Sequence, residues 1–199
     1  LIGLGDGAFA PGVAYAAGDG PEGIAIYDVT GDGVVDVVVA AQSSDEIVVL
    51  PGTGDGTLGA AASVPFGDQP HSVLVADVDG DTLADLLVTN SYLDQVRVLP
   101  GLGGGAFGAG IDYPTAAMPT TLQLADVDGD LEDDLVVACH EGYCVAVLPG
   151  AADGTFGPAT CYGTGQTFAT AIADLDGDGA LDLAAVDVAG DRLGISWGL

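Results

Sequence analysis

The segment DVTGDGVVD (Asp28–Asp36) returns as DVDGDTLAD (Asp77–Asp85), DVDGDLEDD (Asp126–Asp134) and DLDGDGALD (Asp174–Asp182), at intervals of 49, 49 and 48 residues. A second motif keeps the same beat: GLGDGAF (Gly3–Phe9), GTGDGTL (Gly52–Leu58), GLGGGAF (Gly101–Phe107) and AADGTF (Ala151–Phe156). Two motifs repeating four times in phase define an internal repeat. Periods of roughly 20–50 residues mark one supersecondary unit stacked on its neighbours.

Within a period, short apolar runs are divided by turns. In the second unit these runs are Ser72–Ala76, Asp85–Thr89, Val96–Leu99 and Gly108–Tyr113. Runs of about 4–6 residues rich in Val, Ile and Leu fit strands and are too short for helices. Four antiparallel strands per unit is the arithmetic of a propeller blade. The sequence therefore predicts an all-β fold, a β-propeller of four four-stranded antiparallel blades in one domain over 1–199. The repeats fall at 18–66, 67–115, 116–163 and 164–199 plus 1–17.

The phase of the repeat bears on closure. The sequence opens on Leu1 rather than Met, which reads as a processed or excised piece, and it reaches Trp197–Gly198 where the Gly-rich turn would begin again. The first strand, about Phe9–Ala16, has no three strands before it, and the last unit, about Phe168–Ser196, lacks its fourth. Pairing the N-terminal strand with the last blade would close a ring and remove open sheet edges. The alternative is a share of a larger, seven- or eight-bladed ring.

Each acidic loop spells Asp-x-Asp-Gly-Asp-x-x-x-Asp, with Thr30 at the third position of the first. Carboxylates at positions 1, 3, 5 and 9 and a backbone carbonyl at 7 are the hard oxygen donors that Ca²⁺ takes. The candidate ligands are Asp28, Thr30, Asp32, Val34 and Asp36; Asp77, Asp79, Asp81, Leu83 and Asp85; Asp126, Asp128, Asp130, Glu132 and Asp134; and Asp174, Asp176, Asp178, Ala180 and Asp182. Glycine at position 4 permits the positive φ of a chain curling round an ion. An EF-hand would need a Glu at position 12 between helices. Here Val39, Val88, Val137 and Ala185 stand there. Clustered carboxylates a few ångströms apart repel by roughly 3–4 kcal/mol per pair at an effective dielectric near 20. About four structural Ca²⁺ ions are thus expected.

The chain holds 30 Asp+Glu against 2 Lys+Arg, a formal charge of −28, which excludes nucleic-acid and anionic-membrane binders, since both need basic surface. A hydrophobic fraction of 49% excludes an acidic disordered tail. No apolar run approaches the ~18 residues of a membrane-spanning helix, so membrane insertion is not expected.

The quoted motifs resemble FG-GAP/VCBS repeats, those of the integrin α-chain β-propeller and of many secreted bacterial proteins. The "FG" element stands at Phe107–Gly108 and Phe156–Gly157 and weakens to Leu58–Gly59 and Phe9–Ala10. The "GAP" tripeptide is absent, Ala40–Ala41, Thr89–Asn90 and Ala138–Cys139 taking its place, which brings the chain nearer the bacterial relatives. The resemblance implies Ca²⁺ in the loops and a role in adhesion, ligand binding or structure. The usual ring of the family has seven blades, more than the four repeats here.

Three cysteines sit in one unit. Cys139 and Cys144 flank the His140–Tyr143 turn and are the favoured disulfide, while Cys161 could face Cys144 instead. A zinc site from Cys139, His140 and Cys144 lacks a fourth ligand. His71 and His140 have no spaced catalytic partner, and G-x-S-x-G and H-E-x-x-H are absent, so no enzyme is expected. Strand alternation puts the calcium loops and Gly-rich turns at one end. The loops at the other end vary between units and carry His71, Tyr92 and Tyr143, the candidate ligand contacts. The leading reading is a secreted, extracellular or cell-surface, calcium-stabilised module that binds a glycan or an extracellular protein. The alternatives are a homo-oligomer assembling through its terminal strands and part of a polysaccharide-active enzyme.

Overall fold

Short β-branched runs cannot bury both faces alone, so each repeat folds into a small antiparallel sheet that must pack on the next. The computed structural model describes residues 3, 5, 7–196 and 198. Leu4 and Asp6 of the first Gly-rich motif, and Trp197 at the last turn, lie outside the described residues. The first sheet is Pro21–Tyr27 (β1), Asp36–Ala41 (β2), Glu46–Leu50 (β3) and Ala62–Pro65 (β4), paired in that order. The second contains Pro70–Ala76 (β5), Asp85–Asn90 (β6) and Gln95–Leu99 (β7). A small hairpin of Gly101–Gly103 (β8) and Ala106–Phe107 (β9) follows, before Ile111–Pro114 (β10) completes the second sheet against β7. The third is Pro119–Ala125 (β11), Asp134–Cys139 (β12), Cys144–Leu148 (β13) and Thr160–Gly163 (β14). The fourth has three strands, Thr167–Ala173 (β15), Asp182–Asp187 (β16) and Arg192–Ser196 (β17).

Every sheet breaks register at the same place, at the start of its first strand: Pro21/Gly23, Pro70/Val73, Pro119/Thr121 and Thr167/Thr170. Three of these sites begin with proline, which has no N–H to give the ladder. The first strands β1, β5, β11 and β15 lie side by side in sequence order, as blades do around an axis. Apolar layers fill the gaps. Val38, Ile47, Leu86 and Val88 lie between sheets one and two; Leu87, Val96, Leu135 and Val137 between two and three; Val136, Val145 and Leu183 between three and four.

The architecture is all-β and blade-like and fits a propeller, but no closed ring forms among the described residues. The expected strand at Phe9–Ala16 is not present, and β17 pairs with β16 alone. The Tyr15 hydroxyl instead accepts the Leu58 N–H at 3.2 Å, which lays this segment along the flank of sheet one rather than sheet four. That segment and Leu58 cover the outer face of sheet one at β2 and β3, where Val39, Ala41, Val48 and Leu50 are buried, and leave it open at β1. Equivalent positions report it, since Ile24 is 67% exposed where Val73 and Leu122 are 6% and 7% exposed. On the far flank, Val186, Leu193 and Ile195 are likewise exposed.

This difference between flank and gap is measurable by urea unfolding. Leu86→Ala, in a filled gap, is expected to lower stability by about 2–5 kcal/mol. Ile24→Ala, on the open flank, should change it by no more than about 0.5 kcal/mol.

Candidate metal centre

Aspartate in a turn bonds to backbone N–H groups one to a few residues on, and each acidic loop is a nested set of such bonds. The carboxylate at position 1 accepts from positions 4 and 6. Asp28 takes Gly31 and Gly33, Asp77 takes Gly80 and Thr82, Asp126 takes Gly129 and Leu131, and Asp174 takes Gly177 and Gly179, at 2.6–3.1 Å. Position 5 accepts from position 7: Asp32 from Val34, Asp81 from Leu83, Asp130 from Glu132 and Asp178 from Ala180, at 2.8–2.9 Å. Glycine at position 4 holds φ between 73° and 83° in all four loops. Position 6 is also left-handed, and there Thr82 (φ 73°) and Leu131 (φ 78°) carry side chains into a region that suits glycine.

Position 9 does different work. Asp36, Asp85, Asp134 and Asp182 are buried, and each accepts the N–H of position 2 on one oxygen: Val29, Val78, Val127 and Leu175, at 2.8–3.0 Å. The other oxygen accepts the first glycine N–H of the Gly-rich turn: Gly52, Gly101, Gly150 and Gly198, at 2.7–2.9 Å. One carboxylate thus ties both repeated motifs together. The next unit reaches over as well. The Gly105 N–H donates to the Val29 carbonyl at 3.0 Å, and Gly154 lies so close to Asp79 that an added Cβ would meet it at 2.7 Å.

These constraints bring positions 1, 3 and 9 together in three loops. The groups are Asp77, Asp79 and Asp85; Asp126, Asp128 and Asp134; and Asp174, Asp176 and Asp182, with carboxylate oxygens within 4.8 Å of one another. In the first loop Thr30 replaces the middle carboxylate, and its hydroxyl donates to Asp28 at 3.4 Å. The side chains at position 5 stand outside these groups. Burial pushes the Asp85 carboxyl above its ordinary value against the pull of the Val78 and Gly101 N–H groups, and Asp79 and Asp81 add to the push. Desolvation, then the like charges of Asp134, Asp130 and Asp126, raise Asp128. No protein cation relieves this. Arg97 and Arg192 are the chain's two basic residues, and they pair with Asp112 at 2.5 Å and Asp187 at 2.8 Å. Three close, hard, uncompensated oxygens fit a divalent cation.

The other candidates are dispersed. Tyr92 and Tyr143 are exposed on the turns after β6 and β12, and Gln166 donates to the Tyr143 hydroxyl at 3.2 Å. His71 lies on β5 with Nδ1 3.0 Å from the Thr120 carbonyl, which places it in the contact between sheets two and three. Cys139 and Cys144 face each other in register, yet all three thiols are free. The Cys139 sulfur turns to the Val137 carbonyl at 3.7 Å, and the closest sulfurs are those of Cys144 and Cys161, 2.7 Å apart. Burial pushes the Cys139 thiol up to about 11, and burial with the adjoining Cys161 raises Cys144.

The FG-GAP-like repeat family matches residues 28–88, 77–137 and 126–185 of this chain. Comparison of the sequence with curated proteins finds no match. Among solved structures the fold is similar to a lectin of Agrocybe aegerita that recognises non-reducing terminal N-acetylglucosamine, with 22% identity and a TM-score of 0.57. That likeness covers 87% of this chain and 51% of the lectin. A protein from Lactobacillus plantarum is similar at 19% identity and a TM-score of 0.60, over 98% of this chain and 62% of that one. The V. cholerae biofilm matrix protein is similar at 16% identity and a TM-score of 0.54, over 92% of this chain and 31% of that one. At these identities the likeness concerns the fold, and the chain spans about half the length of the lectin.

Two substitutions separate the roles within the loop. With metal chelated, Asp134→Ala should still lower stability by about 1–3 kcal/mol, because it orphans the Val127 and Gly150 N–H groups. Leu131→Gly should raise stability by about 1 kcal/mol by relieving the left-handed backbone. Chemical denaturation in EDTA reads both.

Proposed function

Because the chain belongs to the FG-GAP-like repeat family, we propose that it is an extracellular, calcium-stabilised module that binds carbohydrate and performs no chemistry of its own. The observation that carries the calcium part is the set of three carboxylate triplets with no basic residue beside them. In each triplet positions 1, 3 and 9 would hold the ion. The carboxylates of Asp81, Asp130 and Asp178 and the carbonyls of Leu83, Glu132 and Ala180 are the remaining oxygens of the shell. Asp28, Thr30, Asp32, Val34 and Asp36 form a fourth, weaker site because a hydroxyl replaces a carboxylate. The bound ion supplies positive charge that lets each loop stay curled against its own repulsion.

Extracellular modules of this kind hold Ca²⁺ with dissociation constants near ~10⁻⁴ M, so ~1 mM ion stabilises by about 1.4 kcal/mol per filled site. Such sites would stay unfilled in the cytosol, which is the ground for an extracellular address. The ligand class rests on the Agrocybe aegerita lectin, a carbohydrate binder of similar fold. The exposed rings of Tyr92 and Tyr143, at the end opposite the calcium loops, offer the flat apolar faces on which a sugar stacks. The buried carboxylates of the loops are occupied by backbone N–H groups, which leaves them as framework rather than as acid or base.

Thermal unfolding and a glycan array test the two halves separately. Added Ca²⁺ should raise the melting temperature and EDTA should reverse it, with titration calorimetry counting three sites and a weaker fourth. A melting temperature indifferent to EDTA refutes the calcium reading. The array should return a glycan whose affinity falls at least about tenfold in Tyr92→Ala or Tyr143→Ala, a loss of about 1.4 kcal/mol. An empty array refutes the carbohydrate.

A further inference from the structure

The three cysteines share one face of sheet three. In an antiparallel sheet, residues directly opposite each other, and residues two apart along a strand, point to the same side. Cys144 lies opposite Cys139 on β12 and opposite Gly163 on β14, and Ala146, two residues on, lies opposite Cys161. That face looks into the gap filled by sheet two, where Cys139, Cys144 and Ala146 pack with Leu87 and Tyr113. Cys139 and Cys144 are buried there, while Cys161, on the outer strand β14, is exposed.

Cys144 and Cys161 are diagonal rather than opposite, and their direct partners leave room for the approach. Gly163 presents no side chain to Cys144, and Ala146 presents a single methyl group to Cys161. The right-handed twist of paired strands brings one diagonal closer than the other, and here the two sulfurs stand 2.7 Å apart. The Cys139 sulfur turns along its own strand instead, to the Val137 carbonyl at 3.7 Å. Sheet two ties the corresponding strands β7 and β10 by charge. Arg97 and Asp112, one period before Ala146 and Cys161, lie opposite each other and pair at 2.5 Å. Sheet three has no charge at these positions and carries a pair of thiols in the same place.

We propose that Cys144 and Cys161 are an oxidation site that closes to a disulfide tying β13 to β14, with Cys161 reacting first and Cys139 left as a sealed thiol. The oxidant is a small-molecule disulfide such as oxidised glutathione. Only Cys161 is open to such a reagent, and burial holds the other two thiols protonated. Cys161 loses its proton to water, and its thiolate attacks one sulfur of the small disulfide. A mixed disulfide forms, and the first small thiolate leaves and takes a proton from water. The Cys144 sulfur then attacks the Cys161 sulfur, and its proton passes to the second departing thiolate. Two protein thiols are thereby oxidised to one disulfide as one small disulfide is reduced to two thiols. The loop so closed contains Gly150, whose N–H is held by Asp134, and Phe156, whose ring meets Tyr113. The cross-link restricts the unfolded chain while the folded sheet already has the required register. It rests on that register alone, and neither calcium nor carbohydrate enters it.

Equilibrating the full chain in a glutathione redox buffer, then counting thiols after denaturation and mapping cross-linked peptides by mass spectrometry, decides the matter. Under oxidising conditions one thiol per chain should remain, and the mapped bond should join Cys144 to Cys161. Cys139→Ala should form the same bond and leave no thiol. Cys161→Ser, at an exposed position, should keep both of its remaining thiols. The oxidised parent chain should melt about 6–12 °C above the reduced one, a gain that Cys161→Ser abolishes. Three free thiols in every buffer overturn the proposal, and so does a mapped bond between Cys139 and Cys144 or one that joins two chains.

Discussion

A buried carboxylate that must find partners is the constraint from which the rest of the molecule follows. Asp36, Asp85, Asp134 and Asp182 each open a second strand inside the protein, where an unpaired charge would be intolerable. Each spends one oxygen on the loop before it and the other on the glycine turn after the third strand. The bond across sixteen residues fixes where the third strand must end. It also explains why the two repeated motifs keep time with each other: they are two ends of one hydrogen-bonded unit.

Stacking follows from what this clamp leaves on top. The glycine turn of one unit lies on the acidic loop of the unit before, through Gly105 on Val29 and Gly154 on Asp79, and its aromatic side chain drops between the sheets. Charge and packing therefore share one end of the molecule. The opposite end, with the β2–β3, β6–β7 and β12–β13 turns, carries none of these ties and can differ from unit to unit.

Much of this was legible in the residues. The acidic loops, the strand count per unit and the three-stranded last sheet all follow from the 49-residue period and from runs too short for helices. Within the loop, sequence treats positions 1, 3, 5 and 9 as alike, because all are carboxylates. The fold separates them: position 9 is sealed inside, while position 5 bonds two residues on and stands outside the carboxylate groups. The left-handed backbone at Thr82 and Leu131 was hidden because Gly33 and Gly179 at the same position give the signal and these residues do not. No closed ring forms among the described residues, and the 49-residue period is silent on this, since packing sets how one sheet turns from the next. The sulfurs of Cys144 and Cys161 approach diagonally across β13 and β14, a relation that depends on strand register rather than spacing.

Repeats that are chemically alike still have unequal surroundings among the described residues. Among the described residues, sheets two and three have a sheet on each side, whereas sheets one and four have one apiece and sheet four has three strands. In a linear array whose stability is a sum of unit and nearest-neighbour terms, melting starts at the weakest terminus and travels inward. Amide protons of β17 and β16 should then exchange with solvent well before those of β6 and β12, giving the molecule a graded unravelling in place of a single all-or-none transition.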